Sequence, residues 1–306
     1  MSNPADSADR VRRIMALHGL PASPTAASPI PGVENEVTMV GPSRDRYVVR
    51  WPRDLAGGDF TAEIWAADRA RACGVPTPEV VAAGILDKVS YSVHRYVEGR
   101  DGGSVRSPDL WRTVGGYAAA IATVPLDAAA PDSLFSRFGR DLRAAWQAHL
   151  AYNLDALDDS DPLVALGVYT RSEQSRIRSA VEELVREPQG SPLRHGLLHG
   201  DLALRNVVVP DDGPPVLIDW GSATTGPVPY TDLLHLLRAR ETDGAPDDAE
   251  LEAFADGYGV NLTAIRPQLE SLRLLAAVDL VRWARDRRPD RLEATIAAVR
   301  ARLRRR

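Results

Sequence analysis

The stretch HGLLHGDLALRNVVVPDDGPPVLIDWGS, residues 195–222, carries two carboxylates and an amide, Asp201, Asn206 and Asp219, beside apolar, β-branched runs. Residues 207–218 read as two strands joined by a turn built on Asp211, Asp212 and Gly213. Asn206 stands just before the first strand and Asp219 just after the second. A hairpin therefore sets them side by side, since paired strands lie about 4.8 Å apart. Asp201, five residues before Asn206, lies in a loop that can curl back beside both. A carboxylate and an amide oxygen converging in this way suit a hard divalent cation. Mg2+ commonly takes one or two carboxylates together with substrate phosphates. Asn206 and Asp219 are thus candidate metal ligands, and Asp201 is left to orient a hydroxyl or take its proton. That is the division of labour in phosphoryl transfer. Any one of the three could instead cap a turn; their meeting at one hairpin mouth points to chemistry. His199 is expected to brace the loop through backbone hydrogen bonds.

The elements that must hold these groups fall into two parts. Residues 6–19 read as a short amphipathic helix, and the proline-rich LPASPTAASPIPG that follows reads as a loop. NEVTMV and RYVVRW form a hairpin, DFTAEIWAADRARACGV a helix ended by Gly74, and VVAAGIL with SYSVHRYVEG two more strands around Asp87-Lys88. After Gly103 almost every segment has helical periodicity, and a single small β element, the hairpin above, interrupts it. The expected fold class is α+β, with a small mixed lobe over residues 1–98 and a larger, mainly helical lobe over residues 99–306.

LLHGDLALRNVVV followed by VLIDWG resembles the catalytic and metal loops of the aminoglycoside phosphotransferase-like kinases, relatives of the protein kinases. The likeness runs from about residue 29 to about residue 237. It implies the two-lobed protein-kinase-like fold, with ATP or GTP as phosphate donor, Mg2+ as cofactor and an alcohol as acceptor. By this resemblance Asp201 is the catalytic aspartate, and Asn206 and Asp219 hold the metal. Arg50, at the end of RYVVR, takes the place of the phosphate-contacting strand lysine, and Glu63 that of its helix partner. PGVENEV, with Gly32 and Asn35, resembles the phosphate-covering loop. HRYVEG, with His94 and Tyr96, resembles the hinge whose backbone binds the nucleotide base. The chain departs from the family pattern in its strand arginine, in a phosphate loop with one glycine, and in PVPYTDLL, where Asp232 reads as a helix cap.

The bulk composition agrees with this class. The chain has 306 residues with 44% hydrophobic and 26% charged side chains, ordinary values for a globular protein. A net charge of −5 argues against a nucleic-acid partner. Cys73 is the one cysteine, so the chain has no internal disulfide, which suits a reducing compartment. The polar first residues lack a signal-type apolar core, and no run of 18 apolar residues occurs; no membrane partner and a cytoplasmic location are expected. Oligomeric state is open between monomer and homodimer. The segment between Asp219 and Asp232 is short for presenting a protein substrate, so the expected acceptor is a small molecule. An antibiotic of aminoglycoside, peptide or nucleoside type comes first, with resistance as the outcome. A metabolite such as a sugar, choline, homoserine or methylthioribose is the alternative, and a nucleotide-binding pseudokinase comes last. The acidic NLDALDDSD, residues 153–161, reads as a solvated helix end.

Overall fold

Alternating side chains in NEVTMV and YVVRWP build the first sheet. In the computed structural model, which describes residues 4–21, 29–30, 35–42, 45–53, 58–186 and 193–304, helix α1 (Pro4–Leu17) precedes strands β1 (Pro29–Ile30), β2 (Asn35–Val40) and β3 (Tyr47–Pro52). Helix α2 (Thr61–Ala72) and strands β4 (Val80–Leu86) and β5 (Val89–Arg95) follow. The sheet order is β1-β2-β3-β5-β4, with antiparallel neighbours throughout. The two-residue turn from β4 to β5 has positive φ at both Asp87 and Lys88, the twist that a tight hairpin requires.

Period-two alternation gives the sheet two different faces. Tyr47, Val49 and Trp51 of β3 join Val11, Ile14 and Met15 of α1 in one buried cluster. Arg50 therefore points to the opposite face, level with Val37 of β2 and Ser92 of β5. Helix α2 adds Glu63 to that side, while its Ala66, Ala67 and Ala70 pack into the main core of the larger lobe.

That lobe opens with β6 (Arg100–Asp101) and then runs through α3 (Pro108–Ile121), α4 (Leu142–Ala156), α5 (Pro162–Ala165) and α6 (Arg171–Val185). Strands β7 (Arg194–Leu198), β8 (Val207–Val209), β9 (Val216–Leu217) and β10 (Thr224–Val228) come next, followed by α7 (Tyr230–Asp243), α8 (Asp248–Tyr258), α9 (Leu262–Arg287) and α10 (Leu292–Arg304). Helices α3 and α8 approach closely because residue 115 is glycine: a Cβ there would stand 2.1 Å from the Phe254 carbonyl oxygen. Beside this contact Trp111 meets Phe254 edge-on, 6.4 Å between ring centres.

The expected hairpin is present as β8 paired with β9, and β6 adds a third strand at its edge. A second β element was not expected. β7 and β10 form their own antiparallel pair, with Thr224 opposite Leu198. β10 contains Gly226 and Pro227, which read as chain breakers, yet the pair carries both the Asp201 loop and the approach to α7. No described helix is long and apolar enough to cross a membrane.

Candidate active site

Strand β7 ends at Leu198, and the chain turns sharply into the loop that bears Asp201. Gly200 makes the turn with φ of +81°, and a Cβ at this position would lie 1.8 Å from the Ser222 carbonyl oxygen. Only glycine lets the Asp201 loop lie against the turn that follows Asp219. His199 locks the same two segments together. Its Nε2 donates to the Ile218 carbonyl oxygen at 2.9 Å, and the Ile218 N–H donates to the Asn206 carbonyl at 2.9 Å. Burial lowers the His199 pKa, so the ring is a neutral brace, as the sequence suggested.

Asn206 ends a short 3-10 turn, Leu204–Asn206, and is 6% exposed. Its amide nitrogen donates to the Asp201 carbonyl oxygen at 2.7 Å and to the Asp201 Oδ2 at 3.0 Å. Arg205 Nη2 donates to Asp201 Oδ1 at 2.5 Å. Burial alone would raise the Asp201 pKa, but the hydrogen bonds from Arg205 and Asn206 outweigh it and hold the carboxyl below its ordinary range. Asp201 is therefore a carboxylate at neutral pH, able to accept a hydrogen bond from an alcohol.

Asp219 sits two residues beyond β9 in the left-handed region, φ 61° and ψ 68°. Few residues other than glycine adopt this conformation, and aspartate is among those that do. It leaves the side chain 54% exposed with Oδ1 at 3.2 Å from Arg50 Nη2. The other arm of Arg50 pairs with Glu63, which is 7% exposed. Burial pushes the Glu63 carboxyl above its ordinary range, and Arg50 opposes that rise. One guanidinium thus joins a strand of the small lobe, its neighbouring helix and the loop after β9.

The remaining expected residues are placed unevenly. Gly32 lies outside the described residues. Asn35 opens β2 opposite Pro52, and its carbonyl accepts from Arg53 Nε at 3.4 Å. His94 lies at the end of β5, with Nε2 3.0 Å from Ser92 Oγ. Burial, then the charge of Arg50, lowers its pKa to about 4, so it is neutral. The Tyr96 N–H donates to the Arg46 carbonyl at 2.9 Å, and the ring lies under the Arg46 guanidinium, 4.2 Å from it. That amide is therefore engaged within the sheet.

One site residue and one buried acid escaped the sequence reading. Arg205 follows Asp201 by four residues, a spacing that could have flagged it. Asp232 is no cap: position 229, a proline, precedes the helix, and no side chain caps it. Asp232 is instead 2% exposed inside the first turn of α7, and burial raises its pKa to about 7. In the acidic segment 153–161, Asp155, Asp158 and Asp159 are exposed, as expected of a solvated helix end, while its two ends are built into the fold. Asn153 is buried against Asp279 and Arg282, and Asp161 is buried against Tyr169 and Gln174.

Asn206 and Asp219 suit a hard cation by donor type. With its nitrogen on Asp201, Asn206 presents Oδ1 on the other branch of the amide, and Asp219 supplies a carboxylate. Among the described residues no three His, Cys, Asp or Glu side chains gather into a metal-binding group. The donor set therefore fits a cation completed by water and phosphate oxygens rather than by a protein cage. A cavity of about 680 Å³ opens at Asp201, between the loop, α3 and α7.

A small sheet-rich lobe above a helical lobe, with carboxylates and an amide at the mouth of one hairpin, is the architecture of the kinase-like phosphotransferases. The model of the phosphotransferase enzyme family matches residues 26–275, and the chain belongs to that family. It is an enzyme that transfers phosphate to an alcohol group of a small molecule. No curated protein sequence is close enough to match. Solved structures with this fold include the GDP and kanamycin complex of APH(2")-IIia, 18% identical over 95% of this chain and 97% of that one, TM-score 0.63. The amicoumacin kinase hAmiN in complex with AMP-PNP, Ca2+ and Ami is 13% identical over 99% and 96%, TM-score 0.62. The aminoglycoside phosphotransferase APH(4)-Ia is 18% identical over 98% of each chain, TM-score 0.60.

Proposed function

We propose that this enzyme transfers the γ-phosphoryl group of ATP or GTP to a hydroxyl of an antibiotic and thereby protects the cell that makes it. The observation that carries this reading is the pairing of Asp201 with Asn206 on one side of the cleft and of Arg50 with Glu63 on the other, with the Arg50–Asp219 contact bridging the two. Asp201 accepts the hydrogen bond of the acceptor hydroxyl and receives its proton as the new P–O bond forms. Its low pKa makes it a weak base, which suits a transition state with little nucleophile bonding, where alignment matters more than proton removal. Arg50 contacts the donor phosphates, and Glu63 fixes the guanidinium in the cleft. Asn206 and Asp219 would hold Mg2+, which when bound neutralises charge on the phosphates. Residues 94–99 face the base, and Asn35 belongs to the segment over the phosphates. The boundary between the lobes falls at residues 98–99. Structures of this fold that contain GDP or AMP-PNP support the choice of donor.

The test is nucleotide consumption by the purified enzyme with ATP and with GTP, with and without Mg2+, over a panel of hydroxyl-bearing antibiotics and metabolites. Mg2+-dependent turnover on an antibiotic, with raised tolerance in a susceptible host expressing the gene, is the expected result. Turnover confined to metabolites would overturn the antibiotic assignment. Absence of nucleotide binding would overturn the kinase reading itself.

A further inference from the structure

Beside the cavity at Asp201 lies a second one, of about 430 Å³, between α4, α7 and α9. Small-molecule sites commonly have about 300–1,000 Å³. His235 and Arg238 line both cavities, so they mark a common boundary. Burial lowers the His235 pKa and the charge of Asp201 works against that fall, so the carboxylate is felt at the boundary. The second wall is built mainly of apolar side chains such as Trp146, Leu234, Leu272 and Leu280. Its polar groups are spent within the protein. Glu241 pairs with Arg302 at 3.0 Å, Asp279 with His149 at 2.9 Å and Arg273 with Glu270 at 3.0 Å. The Thr225 and Thr231 hydroxyls donate to the Leu134 and Pro227 carbonyl oxygens. The three arginines in the wall at Asp201 are engaged too: Arg106 with Glu250 at 2.7 Å, Arg205 with Asp201 at 2.5 Å, and Arg238 likewise has a partner. Two buried nitrogens, Trp146 Nε1 and His235 Nδ1, have no hydrogen-bond partner among the described residues, and both rings are uncharged.

We propose that the acceptor is an uncharged alcohol whose apolar body occupies the cavity between α4, α7 and α9. This rests on the kinase reading above and narrows its acceptor class. The hydroxyl reaches across the His235 boundary to Asp201, and the rest of the molecule packs on the leucines and Trp146. A charged group in this cavity would leave water for a wall whose own charges already have partners, and burying a charge without a new partner is strongly unfavourable. The argument holds for the ammonium groups of a polycationic acceptor and for a carboxylate alike. A neutral oxygen, as in an ether or a carbonyl, is the polar function that matches an indole N–H. In the reaction the acceptor oxygen bonds to the γ-phosphorus of the nucleoside triphosphate and the bond from that phosphorus to the β–γ bridging oxygen breaks. The nucleoside diphosphate leaves, and the hydroxyl proton passes to the Asp201 carboxylate.

Three matched probes test the proposal: 1-decanol, ω-aminodecanol and ω-hydroxydecanoate, titrated calorimetrically into the full-length enzyme at neutral pH. The neutral alcohol is expected to bind at least about tenfold more tightly than either charged probe, because each charge has to be desolvated or left outside the cavity. Leu280 and Leu234 are half-buried in the cavity wall. Leu280→Glu places a carboxylate there and should shift the preference to the amine. Leu234→Trp narrows the cavity without adding charge and should weaken 1-decanol about tenfold; thermal unfolding of both variants verifies that they are folded. The comparison of probes on the unaltered enzyme does not depend on either variant. Equal or tighter binding of a charged probe, failure of all three to bind, or an unchanged order of affinities in folded Leu280→Glu would overturn the proposal. Titration of AMP-PNP with Mg2+ into the same preparation reads the kinase assignment separately. Retained nucleotide binding with no preference for the neutral alcohol rejects the acceptor class alone.

Discussion

The amide nitrogen of Asn206 lies 3.0 Å from Oδ2 of Asp201, so the residue proposed to hold the metal also orients the residue proposed to meet the acceptor. Substitution of either should be felt by both. Asp201→Ala is expected to lower kcat by roughly 10²–10⁴ while nucleotide affinity survives, the range for removing a positioned acid–base group. Steady-state rates with calorimetric nucleotide binding check this. Wild-type turnover in the variant would remove Asp201 from the chemistry.

Arg205 sets the charge state of Asp201. Without it, burial is opposed by fewer hydrogen bonds and the carboxyl pKa rises. In Arg205→Ala the acidic limb of the kcat profile should therefore move to higher pH, while the wild-type rate stays flat further into acid. Superimposable profiles would show that Arg205 acts only by packing.

Asp219 is held at a positive φ that asparagine also tolerates. Asp219→Asn should thus keep the fold and lose Mg2+-dependent nucleotide binding. Thermal unfolding followed with and without Mg2+ and nucleotide separates the two effects; retention of the full Mg2+-dependent rise in melting temperature would refute the ligand role.

Arg50→Ala should raise the nucleotide KM roughly 10- to 100-fold, the scale of a lost charged hydrogen bond, and by more than Asp201→Ala does. Arg50→Lys should recover part of that loss, because a lysine keeps the charge but has no planar fork to reach Glu63 and Asp219 together. A larger KM change in Asp201→Ala would count against the phosphate contact.

Asp232 supplies a pH signature of stability. Its carboxyl titrates at about 7 in the folded chain and near 4 when unfolded. Between these values the folded state binds more protons, so stability falls as pH rises. The contribution is present in full below about pH 4 and gone once pH has passed the folded value, about 7. Asp232→Asn, which cannot ionise, should flatten this part of the curve in denaturant titrations from pH 4 to 8. Parallel curves for the two proteins would show that Asp232 does not titrate in this window.

Much of this site could be read from the chain alone, because its parts are local. The Asp211-Asp212-Gly213 turn between two β-branched runs fixes where Asn206 and Asp219 fall, and the helical periodicity after Gly103 follows from side-chain spacing. What escaped was set by distant packing. Strands β7 and β10 are short and contain glycine or proline, and their pairing joins segments that nothing local connects. Asp232 precedes an apolar run and so looks like a cap, and only the fold shows it buried. The Arg106–Glu250 pair joins residues 144 positions apart, and the three arginines around Asp201 come from three separate segments.

Arg50 is shared between two owners, Glu63 beside it and Asp219 across the cleft. If Asp219 holds the metal and Arg50 the phosphates, as proposed, a cation arriving alone would have to displace a guanidinium, whereas a triphosphate that recruits this guanidinium would vacate the seat. Each arrival then favours the other by the same factor, as linkage requires. On that reading the tie would disfavour loading by bare cation, and the two ingredients of the reaction would enter most readily together.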